Sequence, residues 1–303
     1  MNKIIKLLCA VSLLLLLTLP AMAETTVVPT AAPATEVTYG GLTVSSDSTY
    51  VDLGDIVVKD YDKLCEFLDQ LPQLEQFDMF STLIQRTNIE MLAERYPNVK
   101  FGWTMYIPCE RPHKIRTDAT AFGTQHNNKI KGHTSEDFSI LKYCTQLEAL
   151  DIGHNNVTDL SFLYYLPNLK VLIIAANKVT DITPIGTLTQ LQYLEIFKNK
   201  ITDISVLANC TELIDLNICF NYITDWECLK GLTKLERLWL YNSNNYSSSK
   251  PVSKTVVAGL KEALPDCHID STHYSTNGGW RTHQRYDTIL KIFKDQTYYP
   301  FES

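Results

Sequence analysis

The stretch Leu147-Glu-Ala-Leu-Asp-Ile-Gly-His-Asn155 decides the fold of this chain, because it recurs with a period of 22 residues. The later copies are Leu169-Lys-Val-Leu-Ile-Ile-Ala-Ala-Asn177, Leu191-Gln-Tyr-Leu-Glu-Ile-Phe-Lys-Asn199 and Leu213-Ile-Asp-Leu-Asn-Ile-Cys-Phe-Asn221. A fifth copy begins at Leu235 and decays after a few residues. Self-similarity at a fixed period is the signature of a repeat architecture.

Each copy predicts one short strand of a parallel sheet. Successive side chains of a strand point to opposite faces, so Leu150 and Ile152 face inward while Ala149, Asp151 and Gly153 face outward. Stacking the copies places the inward leucines in one apolar column. The members of this column are Leu150, Leu172, Leu194, Leu216 and Leu238.

Two polar columns predict how the chain turns away from the sheet. Asparagine side chains can bond loop backbone groups that would otherwise be buried without partners. This structural ladder consists of Asn155, Asn177, Asn199 and Asn221. An aspartate column can cap a short helical turn on the other side of each repeat. It consists of Asp159, Asp181, Asp203 and Asp225.

The pattern LxxLxLxxN resembles the leucine-rich repeat family, and specifically the 22-residue bacterial class of internalin-like surface proteins. The resemblance covers about residues 125–245. It implies an α/β fold, a right-handed solenoid with a curved parallel sheet, an irregular N-terminal cap and a helical C-terminal cap. Members of the family share an architecture and differ in their ligands, so the resemblance predicts the fold better than the function.

The flanking sequence predicts the remaining organisation. Residues 1–23 have Lys3 and Lys6, an apolar run and Ala21-Met22-Ala23, as in a secretory signal peptide; a membrane anchor is the alternative. Residues 24–41 are predicted to form a Thr/Ala/Pro-rich linker. Residues 42–124 are predicted to form an N-terminal cap of degenerate strand-helix repeats that is continuous with the sheet, and residues 246–303 a C-terminal cap. The cap strands are expected at 51–53, 74–79, 99–107 and 115–122, with helices at 62–71 and 88–95. Downstream, a helix at 252–264, a strand at 268–270 and a helix around 286–293, packed on the end of the solenoid, are expected.

Composition limits the function classes. The net charge is −7, and no basic face is evident for nucleic acid. No stretch after the leader is long and apolar enough for a transmembrane span, so we expect a secreted or cell-surface monomer. Cys144 and Cys210 share a core position of the repeat and are expected to fill the core; the pairing of the other cysteines stays open.

Chemistry-bearing motifs are scarce. The sequence has no GxSxG, HExxH or P-loop pattern. His268, His273 and His283 lie near Cys267, but their spacing matches no zinc motif. We therefore predict no catalytic residue, no metal and no cofactor.

The outward strand positions provide the candidate site. Aromatic and arginine side chains are typical of binding hot spots, so we predict that a protein or peptide partner binds the C-terminal half of the concave face. The predicted partner-binding residues are Tyr193, Glu195, Phe197, Asp215, Phe220, Arg237, Trp239 and Tyr241. The alternatives are packing of these residues under the chain's own C-terminal segment, a glycan- or cell-wall-binding protein, and an enzyme with its site in the non-repeat ends.

Overall fold

The computed structural model describes residues 34–107, 113–124, 132–241 and 251–301. The predicted signal peptide and residues 24–33 of the predicted linker lie outside these residues. Among the described residues, no helix is both long and apolar enough to cross a membrane.

The N-terminal region begins with a hairpin rather than with the end of a linker. Strands β1 (Glu36–Tyr39) and β2 (Leu42–Ser45) pair antiparallel around Gly40 and Gly41. Both glycines have positive φ, which a tight hairpin turn requires and which glycine adopts without strain. The predicted boundary of the linker at residue 41 is therefore too late, because residues 36–41 are already part of folded structure.

A four-stranded sheet forms the N-terminal cap. Its strands, in spatial order, are β3 (Tyr50–Asp52), β4 (Gln76–Ile84), β5 (Lys100–Ile107) and β6 (His113–Arg116). Strands β3, β4 and β5 are parallel and are separated by helices α1 (Tyr61–Leu68) and α2 (Arg86–Arg95). This alternation is that of the predicted strand-helix repeats.

The predicted continuity of this cap with the repeat sheet is wrong. Strand β6 turns back antiparallel to β5, with Ile115 opposite Met105, and occupies the edge that the next parallel strand would need. The single strand predicted at 115–122 is consequently two strands, β6 and β7 (Ala121–Gly123), which belong to different sheets.

The repeats form a seven-stranded parallel sheet, and the predicted α/β leucine-rich repeat solenoid is confirmed. After β7 its strands are β8 (Ala149–Asp151), β9 (Val171–Ile173), β10 (Tyr193–Glu195), β11 (Asp215–Asn217), β12 (Arg237–Trp239) and β13 (His268–Asp270). Leu150 lies opposite Leu172, and Leu172 lies opposite Leu194. The 22-residue period of the sequence is therefore the step from one strand to the next.

Short helical turns face the sheet across the core. Helix α3 (Ser135–Phe138) and a 3-10 turn at Ser139–Tyr143 precede the first full repeat. The repeats then contribute 3-10 turns at Ser161–Tyr165, Thr183–Thr187, Ser205–Asn209 and Glu227–Gly231. The aspartate column caps them: Asp181 Oδ1 accepts from Thr183 N at 2.8 Å, and Asp203 Oδ1 accepts from Ser205 N at 2.8 Å. Helices α4 (Lys254–Ala263) and α5 (Gln284–Asp295) complete the chain.

The side chains of the asparagine column link neighbouring repeats by hydrogen bonds. Asn199 Nδ2 donates to Ile174 O at 3.0 Å and to Ile196 O at 3.1 Å, while its Oδ1 accepts from Val179 N at 3.1 Å. Asn177 and Asn221 make the same three kinds of bond one repeat earlier and one repeat later. These bonds satisfy loop backbone groups that have no strand partner.

One apolar core runs through the cap and the repeats. Cys144 and Cys210 are fully buried in it, as their shared repeat position predicts, and burial raises the pKa of Cys210 to about 11. The six cysteines in the described part of the chain are free thiols, whereas Cys9 and Cys109 lie outside it.

Candidate functional site

The concave face consists of the outward side chains of strands β7–β13, and the end of the chain covers most of it. We call residues 271–301 the C-terminal segment; it passes through a 3-10 turn at Trp280–Thr282 and then forms α5. The prediction that this face is open to solvent is wrong for most of the eight candidate residues. Tyr193, Glu195, Phe197, Asp215, Arg237 and Trp239 are buried, while Phe220 and Tyr241 are partly buried.

The aromatic part of the predicted site is filled by Trp280. This side chain is fully buried, and its ring centroid lies 5.6 Å from that of Tyr193 and 5.2 Å from that of Trp239. Trp239 Nε1 donates to Asn277 O at 3.0 Å, and the Phe301 ring lies 6.2 Å from Tyr193. The aromatic residues of the sheet thus form a second apolar cluster with the C-terminal segment.

The charged part of the predicted site is a buried ion-pair network. Asp215 is fully buried and accepts from Arg237 Nε at 2.7 Å and Nη2 at 2.6 Å. It also accepts from Arg285 Nε and Nη2, both at 2.9 Å, and Arg285 Nη1 donates to Glu236 at 2.6 Å. Two forked guanidinium contacts on one carboxylate compensate charges that would be very costly to bury alone.

Glu195 anchors the start of the same segment. Its carboxylate is fully buried and accepts from Trp280 Nε1 at 2.8 Å, from Arg281 Nη2 at 2.7 Å and from the Tyr193 hydroxyl. Burial and the negative charge of Glu195 raise the pKa of Tyr193 well above its usual value, so its hydroxyl stays a hydrogen-bond donor. Glu195 and Asp215 are therefore matched by arginines of the C-terminal segment.

Small residues in the first strands make room for α5. Ala121 and Ala149 are buried in the second apolar cluster, and a Cβ on Gly123 would lie 2.9 Å from the Phe293 ring. Helix α5 therefore lies on the concave face over β7 and β8, instead of on the end of the solenoid as predicted. The signal was present in the sequence: small outward residues in the N-terminal half complement an amphipathic helix, and Glu195 and Asp215 complement Arg281 and Arg285.

A groove remains open between α5 and strands β8–β10. Its cavity has a volume of about 280 Å³, and Ile173, Ala175, Phe197 and Leu290 contribute its apolar walls. Asp151, Arg281 and Tyr286 contribute its polar groups, with His154 at one side. Leu290 is 46% exposed, so the groove is accessible from solvent. Sequence reasoning missed this site because it is formed jointly by the first repeats and the last helix.

The three histidines near the C-terminus have separate roles. His273 Nδ1 lies 2.6 Å from Asp270 Oδ2, His283 accepts from Arg285 N at the start of α5, and the His268 ring packs on Trp239. Across the part of the chain that the structure describes, no group of three or more His, Cys, Asp or Glu side chains is arranged to hold a metal ion.

A second cavity, of about 330 Å³, lies where the N-terminal cap meets the first repeat. Its lining includes Tyr96, Tyr143 and the stacked rings of Phe101 and Trp103, whose centroids are 5.3 Å apart. Trp103 Nε1 is buried and has no hydrogen-bond partner among the described residues. This cleft brings aromatic side chains together in the N-terminal cap, outside the predicted repeats.

Comparisons with known proteins bear on the class of fold. A family model described as leucine-rich repeats (2 copies) matches residues 145–186 and 167–209. A comparison with curated proteins finds no significant match. Among solved structures, internalin C2 from Listeria monocytogenes is 20% identical, with 76% of this chain and 86% of that chain covered and a TM-score of 0.38.

Two further structures extend the same comparison. A second Listeria monocytogenes internalin, InlF, is 18% identical over 76% of this chain and 85% of that chain, with a TM-score of 0.32. The Arabidopsis receptor kinase HAESA, solved with the peptide hormone IDA and the co-receptor SERK1, is 21% identical over 65% of this chain and 27% of that chain, with a TM-score of 0.32. Likenesses this low carry no argument about function.

The repeated strand, the asparagine ladder and the family match together define a solenoid of leucine-rich repeats. Residues 145–209 therefore carry leucine-rich repeats, as the sequence predicts. The finer, internalin-like class stays a prediction from the sequence. Leucine-rich repeat proteins are in general protein–protein recognition modules and are typically not enzymes.

Proposed function

We propose that this protein is an exported recognition module that binds a protein or peptide partner in the groove between α5 and strands β8–β10. The observation that carries the proposal is the open cavity of about 280 Å³ on a concave face that the C-terminal segment otherwise covers for the most part. Export is inferred from the N-terminal sequence alone. The groove combines apolar walls with a few polar groups, which is the usual composition of a ligand pocket.

The C-terminal segment acts in this proposal as part of the binding surface and not as a lid. Displacing it would expose fully buried Trp280 and Ile292 and separate Arg285 from Asp215. Removing one partner of a buried ion pair alone costs about 3–5 kcal/mol. A partner that uses the preformed groove avoids this cost and binds a rigid surface, which limits the entropy lost on association.

The proposal is tested by placing a charge at the exposed apolar wall of the groove. Leu290→Asp is expected to weaken capture of the partner from culture medium or host extract at least tenfold, because it puts a carboxylate where an apolar contact is needed. Tyr164→Asp is the matched control: Tyr164 is 52% exposed and belongs to a 3-10 turn on the other side of the repeats. The proposal is contradicted if a folded Leu290→Asp variant captures the partner as well as the wild type does.

A glycan-binding role is the second candidate, and the aromatic cleft of the N-terminal cap favours it. The cleft presents the partly exposed rings of Tyr96, Phe101 and Tyr143, which are suited to packing against sugar faces, and Trp103 lies buried behind them. Tyr143→Ala is then expected to abolish the heat of binding of soluble cell-wall oligosaccharides in titration calorimetry, while Tyr222→Ala leaves it unchanged. Absence of binding by the wild-type protein would eliminate this candidate.

A further inference from the structure

Asp151 is the unusual group in the groove. Its side chain is only 8% exposed, and it lines the cavity between β8 and α5. Oδ1 accepts from Gly153 N at 2.9 Å, whereas Oδ2 has no hydrogen-bond partner among the residues that the structure describes. Within the same residues, no lysine, arginine or histidine forms an ion pair with it. A largely buried carboxylate that forms no ion pair of its own can be stabilised by a cation that enters the open groove.

The neighbouring charges leave the groove with an excess of negative charge. Arg281 also lines the groove, but its Nη2 is paired with Glu195 at 2.7 Å. Its guanidinium also lies 4.3 Å from the centroid of the Tyr286 ring. Arg281 is thus shared between Glu195, its ion-pair partner, and Asp151, so one cation faces two carboxylates.

The walls of the groove suit a long aliphatic stem. Ile173, Ala175 and Leu290 provide apolar surface, and Phe197, Tyr286 and Phe293 provide rings. Lysine and arginine side chains bury their methylene stems on such surface while the charged end meets an acid or a ring face. A volume of about 280 Å³ is small for a drug-sized ligand and is suited to a single side chain.

We infer that the groove is a specificity pocket for a lysine or arginine side chain of the partner, with the cationic end at Asp151 and the stem between α5 and β9. This inference rests on the proposed function and names the chemistry that the partner must present. The acidic net charge of the chain, −7, adds a favourable long-range attraction for a basic segment.

Protonation of Asp151 gives the pocket a pH dependence. Burial of the carboxyl group is the main cause that raises the pKa of Asp151 to about 7. The hydrogen bond from Gly153 N and the positive charge of Arg281 lower this pKa, and the negative charge of Glu195 raises it. Above that pH the carboxylate is charged and attracts a cation; below it the neutral acid does not. The titratable and charged groups around Asp151 are Glu195, Arg281, Tyr286 and His154. Histidines also titrate in this range, so the contribution of His154 must be separated.

The experiment measures binding of small cationic probes to the full chain by NMR titration. n-Butylguanidine and n-butylamine carry the end groups of arginine and lysine as single positive charges, whereas n-butanol and butyrate are neutral and anionic counterparts. At pH 8.5 the two cations are expected to bind at least tenfold more tightly than n-butanol or butyrate. Asp151→Asn, which keeps the shape of the side chain, is expected to weaken cation binding at least tenfold. Tighter binding of butyrate than of the cations, or unchanged cation binding by Asp151→Asn, overturns the inference.

The pH profile provides the second, independent readout. In the wild type, the affinity for the cations is expected to fall at least fivefold between pH 8.5 and pH 5.5. The same fall is expected in His154→Asn. In Asp151→Asn the affinity is expected not to change with pH. A bound cation should also lower the pKa of Asp151, measured from its carboxyl ¹³C shift. A fall that disappears in His154→Asn and persists in Asp151→Asn contradicts the assignment.

Thermal unfolding of Asp151→Asn tests that this variant is folded. The folded-state pKa lies above the ordinary value of 3.8, so burial of the carboxylate reduces stability progressively as pH rises from about 4 to about 7, and by a constant amount above that. Asp151→Asn is therefore expected to raise the melting temperature at pH 8.5 and to change it little at pH 4. Should the cations fail to bind while capture remains sensitive to Leu290→Asp, the basic pocket is refuted and the groove as a binding site is retained.

Discussion

Replacing Asp215 by Asn is expected to destabilise the protein by about 3–5 kcal/mol, because buried Arg237 then loses its carboxylate partner and buried Arg285 keeps only the exposed Glu236. Both arginines are at least nine-tenths buried, and Asp215 is fully buried. The amide keeps the volume of the carboxylate but supplies only one acceptor atom to two guanidinium groups. The free energy of unfolding from urea denaturation at pH 7 gives the measurement.

The control for Asp215→Asn is Glu227→Gln, which removes one partner of the exposed pair between Glu227 and Lys230. The two side chains are 73% and 40% exposed. Exposed pairs of this kind contribute about 0–1 kcal/mol. If the two substitutions cost the same, the network under the C-terminal segment does not stabilise the fold.

Trp280→Ala is the second substitution with a large expected effect, about 3–5 kcal/mol, which is typical of removing a fully buried aromatic side chain. The change leaves a cavity between Tyr193 and Trp239 and removes one donor from Glu195. We also expect the substitution to loosen the C-terminal segment, because Trp280 contacts Tyr193, Glu195 and Trp239 of the sheet. Trypsin should then cut after Arg281 and Arg285 under conditions in which the wild type resists cleavage.

Tyr274→Ala serves as the control within the same segment. Tyr274 is 53% exposed and packs at the rim against Phe220 and Tyr241. Its removal should change stability by less than about 1 kcal/mol and leave the trypsin pattern unchanged. Equal protease sensitivity in both variants would show that Trp280 does not hold the segment in place.

Much of the fold could be predicted because the structure of each repeat depends on residues that are close together in the sequence. The leucine at position 150 recurs at 172 and 194, and each copy specifies its own strand, loop and turn through contacts with the adjacent copy. The strand at 268–270 and the helix at 286–293 were also predictable, from alternation and from helical spacing of apolar residues. Such features depend on residues close together in the sequence.

The burial of the candidate site was harder to predict because it depends on contacts between distant residues. Arg285 and Asp215 are 70 positions apart, and Trp280 and Glu195 are 85 positions apart. An outward aromatic residue looks the same in a single sequence whether solvent or another part of the chain covers it. The outward positions of β10–β12 therefore suggested a hot spot for a partner, and in the structure they are the docking site of Trp280 and Arg285.

The path of the C-terminal segment has a consequence for how the molecule unfolds. A simple repeat array is held by nearest-neighbour contacts, so its ends can fray independently of its middle. Here Phe293 lies against Gly123 in the first strand, and Tyr298 N donates to Thr120 Oγ1 at 3.0 Å, although the two residues are 178 positions apart. Arg285 meanwhile holds Asp215 near the other end of the sheet. The segment thus links the first strand of the array to strands near its other end. We therefore expect the repeats to unfold together in one cooperative step.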